Sequence, residues 1–132
     1  MAEVKDKLVT VEGLKAAYDN VYAMAQVARY GSVTAAAGVT VTSNGSFKVG
    51  SVLHLNVVLQ TDSVLGESAA LFTLGDNAKY RADFPLVYLY VGGNASTPGI
   101  ARILENGNMV SAFHVAIPAA RVVVVSGTIL LA

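Results

Sequence analysis

The residues that could do chemistry are few and scattered. His54 and His114, the only two histidines, fall on separate predicted strands, and a zinc-type centre would need a third ligand beside them. Exposed or interface histidine is the simpler reading. Glu67, Asp76, Asp83 and Glu105 all sit at predicted turns, where a carboxylate ordinarily solvates a loop, whereas glycoside cleavage needs two carboxyls that face each other. Asp62, Glu67 and Asp76 lack the spacing of a calcium-binding EF-hand loop. The chain has no cysteine, no G-x-S-x-G elbow, no P-loop and no G-x-G-x-x-G. The expectation is a protein that is not an enzyme and uses no cofactor and no metal.

One cluster suits binding rather than catalysis. Tyr88 and Tyr90 alternate onto one face of a strand, beside a polar loop from Gly92 to Gly99. Exposed, these rings would stack on a sugar while Asn94 and Arg102 hydrogen-bond its hydroxyls. Turned inward, they would fill the core or a subunit interface, which is the simpler reading. Asn44-Gly45-Ser46 and Asn94-Ala95-Ser96 match the N-glycosylation triplet. No secretory signal is expected from the charged opening Met1-Ala2-Glu3-Val4-Lys5-Asp6-Lys7, so the triplets read as chance.

Composition narrows the partners. Hydrophobic residues make up 54% of the 132 and charged ones only 14%, against about a quarter in average proteins. A single subunit has difficulty covering that much apolar surface, so an interface between copies is expected. Nine basic and nine acidic residues cancel. No basic face is available to displace counterions from nucleic acid or to adhere to an acidic membrane. The run from Val115 to Ala132 is apolar but holds Pro118, Arg121 and Gly127 and is β-branched at Val122 to Val125. It reads as a buried final strand, not as a membrane span of about 20 apolar residues.

Two kinds of element must position these residues. Near the N-terminus Val11, Leu14, Tyr18, Val21, Ala25 and Ala28 are spaced alternately by three and four residues, the a/d seam of a short coiled coil. Thr10 can cap this helix, and Gly31-Ser32 ends it. Residues 1–31 are therefore expected to be a helical segment whose seam packs on partner helices or on its own domain, and a seam this short does not set the number of copies. The rest, 32–132, is expected to be an all-β domain. After a linker over 32–38, turn residues punctuate β-rich runs at close intervals. Val39 to Thr42 leads into a turn at Ser43-Asn44-Gly45, and Leu53, Leu55, Val57 and Leu59 share one face of the next strand. Leu86 to Val91 is rich in β-formers, and Asn106-Gly107 predicts a tight type I′ hairpin. About eight consecutive antiparallel strands suggest a two-sheet, jelly-roll-like sandwich.

This order resembles the small fibre and appendage proteins of tailed bacteriophages. Lys7-Leu8-Val9-Thr10-Val11-Glu12-Gly13-Leu14-Lys15 is similar to the start of head-fibre-like proteins, where a short trimerising helix precedes a β-domain. Leu74, Tyr80-Arg81, Leu86 to Val91, Gly92-Gly93-Asn94 and Ile103-Leu104-Glu105-Asn106-Gly107 resemble the strand–loop–strand order of tail-fibre and receptor-binding β-sandwich tips. Gly75 and Ala82 stand where those tips usually carry proline. The resemblance implies a homotrimer at the virion surface, attached through its N-terminal segment to the capsid or another virion protein, with a host surface glycan as a further partner. The readings beside it are a tail-fibre or baseplate tip and a free bacterial lectin-like module.

Overall fold

The structure, a computed structural model, describes residues 27–90, 92, 93 and 95–132. Ten strands make up the regular structure, all in antiparallel pairs, with no helix among the described residues. They are β1 (Val27–Arg29), β2 (Val33–Ala35), β3 (Val39–Asn44), β4 (Phe47–Val49), β5 (Val52–Thr61), β6 (Ala70–Leu74), β7 (Ala82–Tyr90), β8 (Ser96–Ile103), β9 (Met109–Phe113) and β10 (Arg121–Leu130).

The strands form one hydrogen-bonded sheet in the order β1-β4-β5-β10-β7-β8-β9-β6-β2, with β3 also pairing with β5. Strands β7, β8 and β9 form a meander, and β10 returns to lie beside β7. The order β10-β7-β8-β9 is a Greek key. Strands β2 and β3 follow each other in sequence and touch, although one pairs with β6 and the other with β5. The sheet therefore curls round to bring its two flanks together. All-β character is as expected; two packed sheets are not what forms. One sheet closing toward itself gives every strand the same inner face, so a single core fills the roll.

Alternation decides that core. On β5 Leu53, Leu55, Val57 and Leu59 are buried, while His54, Asn56, Val58 and Gln60 face out. Each of these inner side chains contributes roughly 1.5–3 kcal/mol by leaving water. Phe84 and Leu86 of β7, Ala101 and Ile103 of β8, Val110 of β9, Leu71 and Phe72 of β6, and Val123, Val125 and Ile129 of β10 join the same cluster. Gly127 sits on the inner face of β10, and a Cβ there would collide with the Cβ and ring of Phe84. The glycine is needed because the phenylalanine ring occupies its side-chain position.

Several local expectations change in the folded chain. Residues Val11, Leu14, Tyr18, Val21 and Ala25 of the expected seam lie outside the described residues. Ala28, its last position, is not helical but lies exposed in β1, paired with Lys48 of β4. The sheet thus begins by Val27, before the expected boundary at residue 32. Tertiary bonds explain this: Asn44 Nδ2 donates to the Tyr30 carbonyl at 2.8 Å, and the buried Tyr30 donates its hydroxyl to Asp76 at 3.0 Å. Val33–Ala35, within the expected linker, is instead β2 and pairs with β6.

The expected turn at Ser43-Asn44-Gly45 does not reverse the chain. Asn44 still pairs with Val57, and Phe47 pairs with His54, so β3 and β4 continue in one direction along β5. The interruption is bridged by the buried Ser46, whose Oγ accepts from the Asn56 amide at 3.0 Å. Reversal comes at Gly50-Ser51, where Gly50 has φ 58°.

At Asn106-Gly107 the hairpin is present but its turn differs. The Gly107 amide donates to the Leu104 carbonyl at 3.0 Å, and Asn106 alone takes a positive φ, 59°. A type I′ turn would need both central residues there. The loop instead serves the neighbouring segment: the Asn106 amide donates to Ala78 O, and the Ala78 amide to Gly107 O, each at 2.8 Å.

Candidate functional site

The direction of the strands gives the roll two distinct ends. Val27 pairs with Val49, next to the Gly50-Ser51 turn and to the Leu130–Val52 pair that ends β10. This is the end where the chain enters the fold. At the other, distal end β10 begins with Arg121, paired with Tyr90 at the end of β7. Ten residues of β10 separate the ends by about 30 Å at 3.3 Å per residue.

The two tyrosines singled out in the sequence are at this distal end. Leu86 and Phe84 point into the core, so Tyr88 and Tyr90 belong to the same inner face. Tyr88 packs on the core, while Tyr90, at the rim, is 61% exposed. The inward and exposed alternatives each describe one ring. Thr97 pairs with Tyr88 across β8. Together with Ala95, Pro118 and Arg121 they line a mouth of about 260 Å³.

Arg121 is the residue the sequence did not point to. Its guanidinium carbon lies 3.5 Å from the centroid of the Tyr90 ring, and Nη1 donates to Ala119 O at 3.0 Å. The loop carrying it is pinned by the buried Thr61 at the end of β5. Thr61 Oγ1 donates to Pro118 O at 2.8 Å and accepts from the Arg121 amide at 2.9 Å. The Thr61 carbonyl accepts from Ala120, which holds φ 57°. A threonine on an otherwise apolar inner face of β5 was the available signal. It was unreadable without knowing that residues 118–121 lie beside it.

Arg102 does not join the tyrosines. It lies on the outer face of β8 and pairs with Asp83 near the start of β7, about five residues or 17 Å along the strand from the Tyr88 level. Its Nε and Nη2 donate to the two Asp83 oxygens at 2.7 and 3.1 Å, and its guanidinium stacks 3.4 Å from the Phe113 centroid. Hydrogen bonding from Arg102 holds the Asp83 carboxyl well below the ordinary carboxylate range, at about 2, with Arg81 adding to the effect. Asn94 lies outside the described residues.

Arg102 borders a larger groove of about 480 Å³ on the outside of β8 and β9, with Leu104, Met109, Phe113 and His114. It is mostly apolar, and its arginine is already satisfied by Asp83. The smaller mouth is better suited to bind a polar ligand, because its aromatic, hydroxyl and cationic groups converge with donors to spare.

The other chemistry-bearing residues stay apart. His54 stacks on Phe47 at 4.8 Å on the outer face of β5, and His114 meets Phe113 edge-on at 4.2 Å at the distal end of β9. Asp76 is engaged by Tyr30, and Asp62 accepts from Thr40 Oγ1 at 2.6 Å. Among the described residues no three His, Cys, Asp or Glu side chains are grouped to hold a metal ion. Compared with protein-family models, curated proteins and solved structures, the chain matches none of them.

Proposed function

We propose that this protein is a non-enzymatic structural component of a phage or prophage virion, a homotrimeric head fibre or similar appendage. Its N-terminal segment attaches to the capsid or another virion protein. The β-domain is displayed on the particle surface, with its distal mouth turned toward host surface glycans.

The observation that carries this reading is the outer face of the sheet. Val122 and Val124 of β10, Val87 and Leu89 of β7, and Pro98 and Ile100 of β8 lie on adjacent strands, facing away from the core. Pro98 and Ile100 are exposed, Ile100 at 45%, and the four Val and Leu side chains are partly buried. A contiguous apolar surface of this kind marks an interaction site. Symmetric copies packed on it would account for a composition with so few charges. The chain enters the roll at the end opposite the mouth, which suits attachment at one end and recognition at the other. The choice of three copies follows the resemblance to phage fibres.

Light scattering should give about three times 13.7 kDa. Val124→Lys with Leu89→Lys should shift the particle toward monomer while the far-UV circular dichroism stays β-type. A wild-type monomer at micromolar concentration would overturn the assembly and favour a free lectin-like module built around the mouth.

A further inference from the structure

The roll contains two stacked arginines, and they differ in one respect. Arg102 lies over Phe113 and carries its counter-ion with it: Asp83 receives two hydrogen bonds, at 2.7 and 3.1 Å. Arg121 lies over Tyr90 in the same way, but among the described residues no carboxylate comes within ion-pair distance of it. Only its Nη1 has a protein acceptor there, the Ala119 carbonyl. The described lining of the mouth includes no Asp or Glu. The nearby Asp62 carboxylate accepts from Thr40 on β3.

We infer that the mouth takes an acidic sugar, a uronic-acid or similar carboxylate-bearing residue of a polysaccharide, whose carboxylate occupies at Arg121 the place that Asp83 occupies at Arg102. This rests on the reading of the mouth as a glycan site and names its ligand class. Stacking on Tyr90 and the bond to Ala119 hold the guanidinium plane in place, so little order is lost when an anion docks on its free edge. Charge-assisted pairs of this fork geometry are about twice as strong as neutral hydrogen bonds. The exposed Tyr90 ring and the Thr97 strand supply the sugar's apolar and hydroxyl contacts. At about 260 Å³ the mouth lies below the usual range for drug-sized ligands, so it receives one ring and not a length of chain.

The test compares oligogalacturonate with the matching neutral oligogalactose by calorimetry or saturation-transfer NMR, on the full chain. The acidic oligosaccharide should bind at least about tenfold more tightly than the neutral one. The difference should shrink in molar salt. Arg121→Gln should remove the difference and leave the weak neutral binding in place, Arg102→Gln should leave it intact, and Tyr90→Ala should weaken both ligands. Equal affinity for the two, or a preference that survives Arg121→Gln in a folded variant, overturns the acid preference but not the glycan site. No binding of either ligand overturns the glycan site, and the preference with it.

Discussion

Thr61→Val keeps the shape of a side chain only 1% exposed and removes one oxygen. That oxygen donates to Pro118 O at 2.8 Å and accepts from the Arg121 amide at 2.9 Å. Each backbone group left dry costs about 1–3 kcal/mol. The added methyl returns about 0.8 kcal/mol. Because the loop lies at the rim, where water can reach part of it, the lower end applies to both groups, and the net loss should be about 1–2 kcal/mol. For a domain of this size that lowers Tm by about 3–8 °C. Thr61→Ser is the control: it keeps both bonds, loses one methyl and should cost about 1 kcal/mol. Urea unfolding of the three proteins should be compared at one protein concentration, because assembly shifts apparent stability. Hydrogen exchange adds a local readout, in which the Arg121 amide should lose protection in the valine variant and keep it in the serine variant. If Thr61→Val is as stable as wild type, or more stable than Thr61→Ser, the hydroxyl does not anchor the loop that presents Arg121.

Gly127→Ala should destabilise by about 1–3 kcal/mol in thermal melts, because the new Cβ meets Phe84. In the Phe84→Ala background the ring contact goes while the Cβ contact stays, so the same change should cost less than in the wild type, and a melt showing equal costs in both backgrounds would mean that the ring is not the obstacle. Asp83 titrates near 2 in the fold, below its ordinary value near 4, so its contribution is present above about pH 4 and is lost as pH falls through 2. NMR of the carboxyl should show that low midpoint, and Arg102→Gln should raise it. Burial, and then Asp76, push the Tyr30 hydroxyl above its ordinary value of 10.0, so one tyrosine should ionise late in a spectrophotometric alkaline titration and Tyr30→Phe should remove that late step. Asn106→Gly should leave stability within a few tenths of a kcal/mol, whereas Asn106→Val should cost about 1–2 kcal/mol for its left-handed backbone, both read by urea unfolding.

How much was legible depended on the range of the interaction involved. Leu53, Leu55, Val57 and Leu59 could be placed on one buried face because side chains on a strand alternate, a local rule. Tyr88 and Tyr90 could be placed on a common face for the same reason. Whether that face was inner or outer could not be read, and their two different environments follow from one lying a single step nearer the rim. Asn44-Gly45 illustrates the opposite case. The pair permits a hairpin, but hydrogen bonds from Asn44 to Tyr30 and from Asn56 to Ser46 keep β3 and β4 in line along β5. Asn106-Gly107 was correctly assigned to a connection between strands, while bonds to Ala78, distant in sequence, chose the turn.

The sequence by itself determined the all-β class of the described residues, the membership of the main buried strands and the absence of familiar catalytic motifs, because composition, alternation and short-range turn chemistry are written in consecutive residues. Only the tertiary structure decided that one sheet curls round a single core and that Arg121, not Arg102, meets Tyr90. It also showed that Thr61 holds the loop between them. Those contacts join residues 31 to 60 positions apart, and strand order, which brings β10 between β5 and β7, is set by the combined packing of the whole core and not by any local signal.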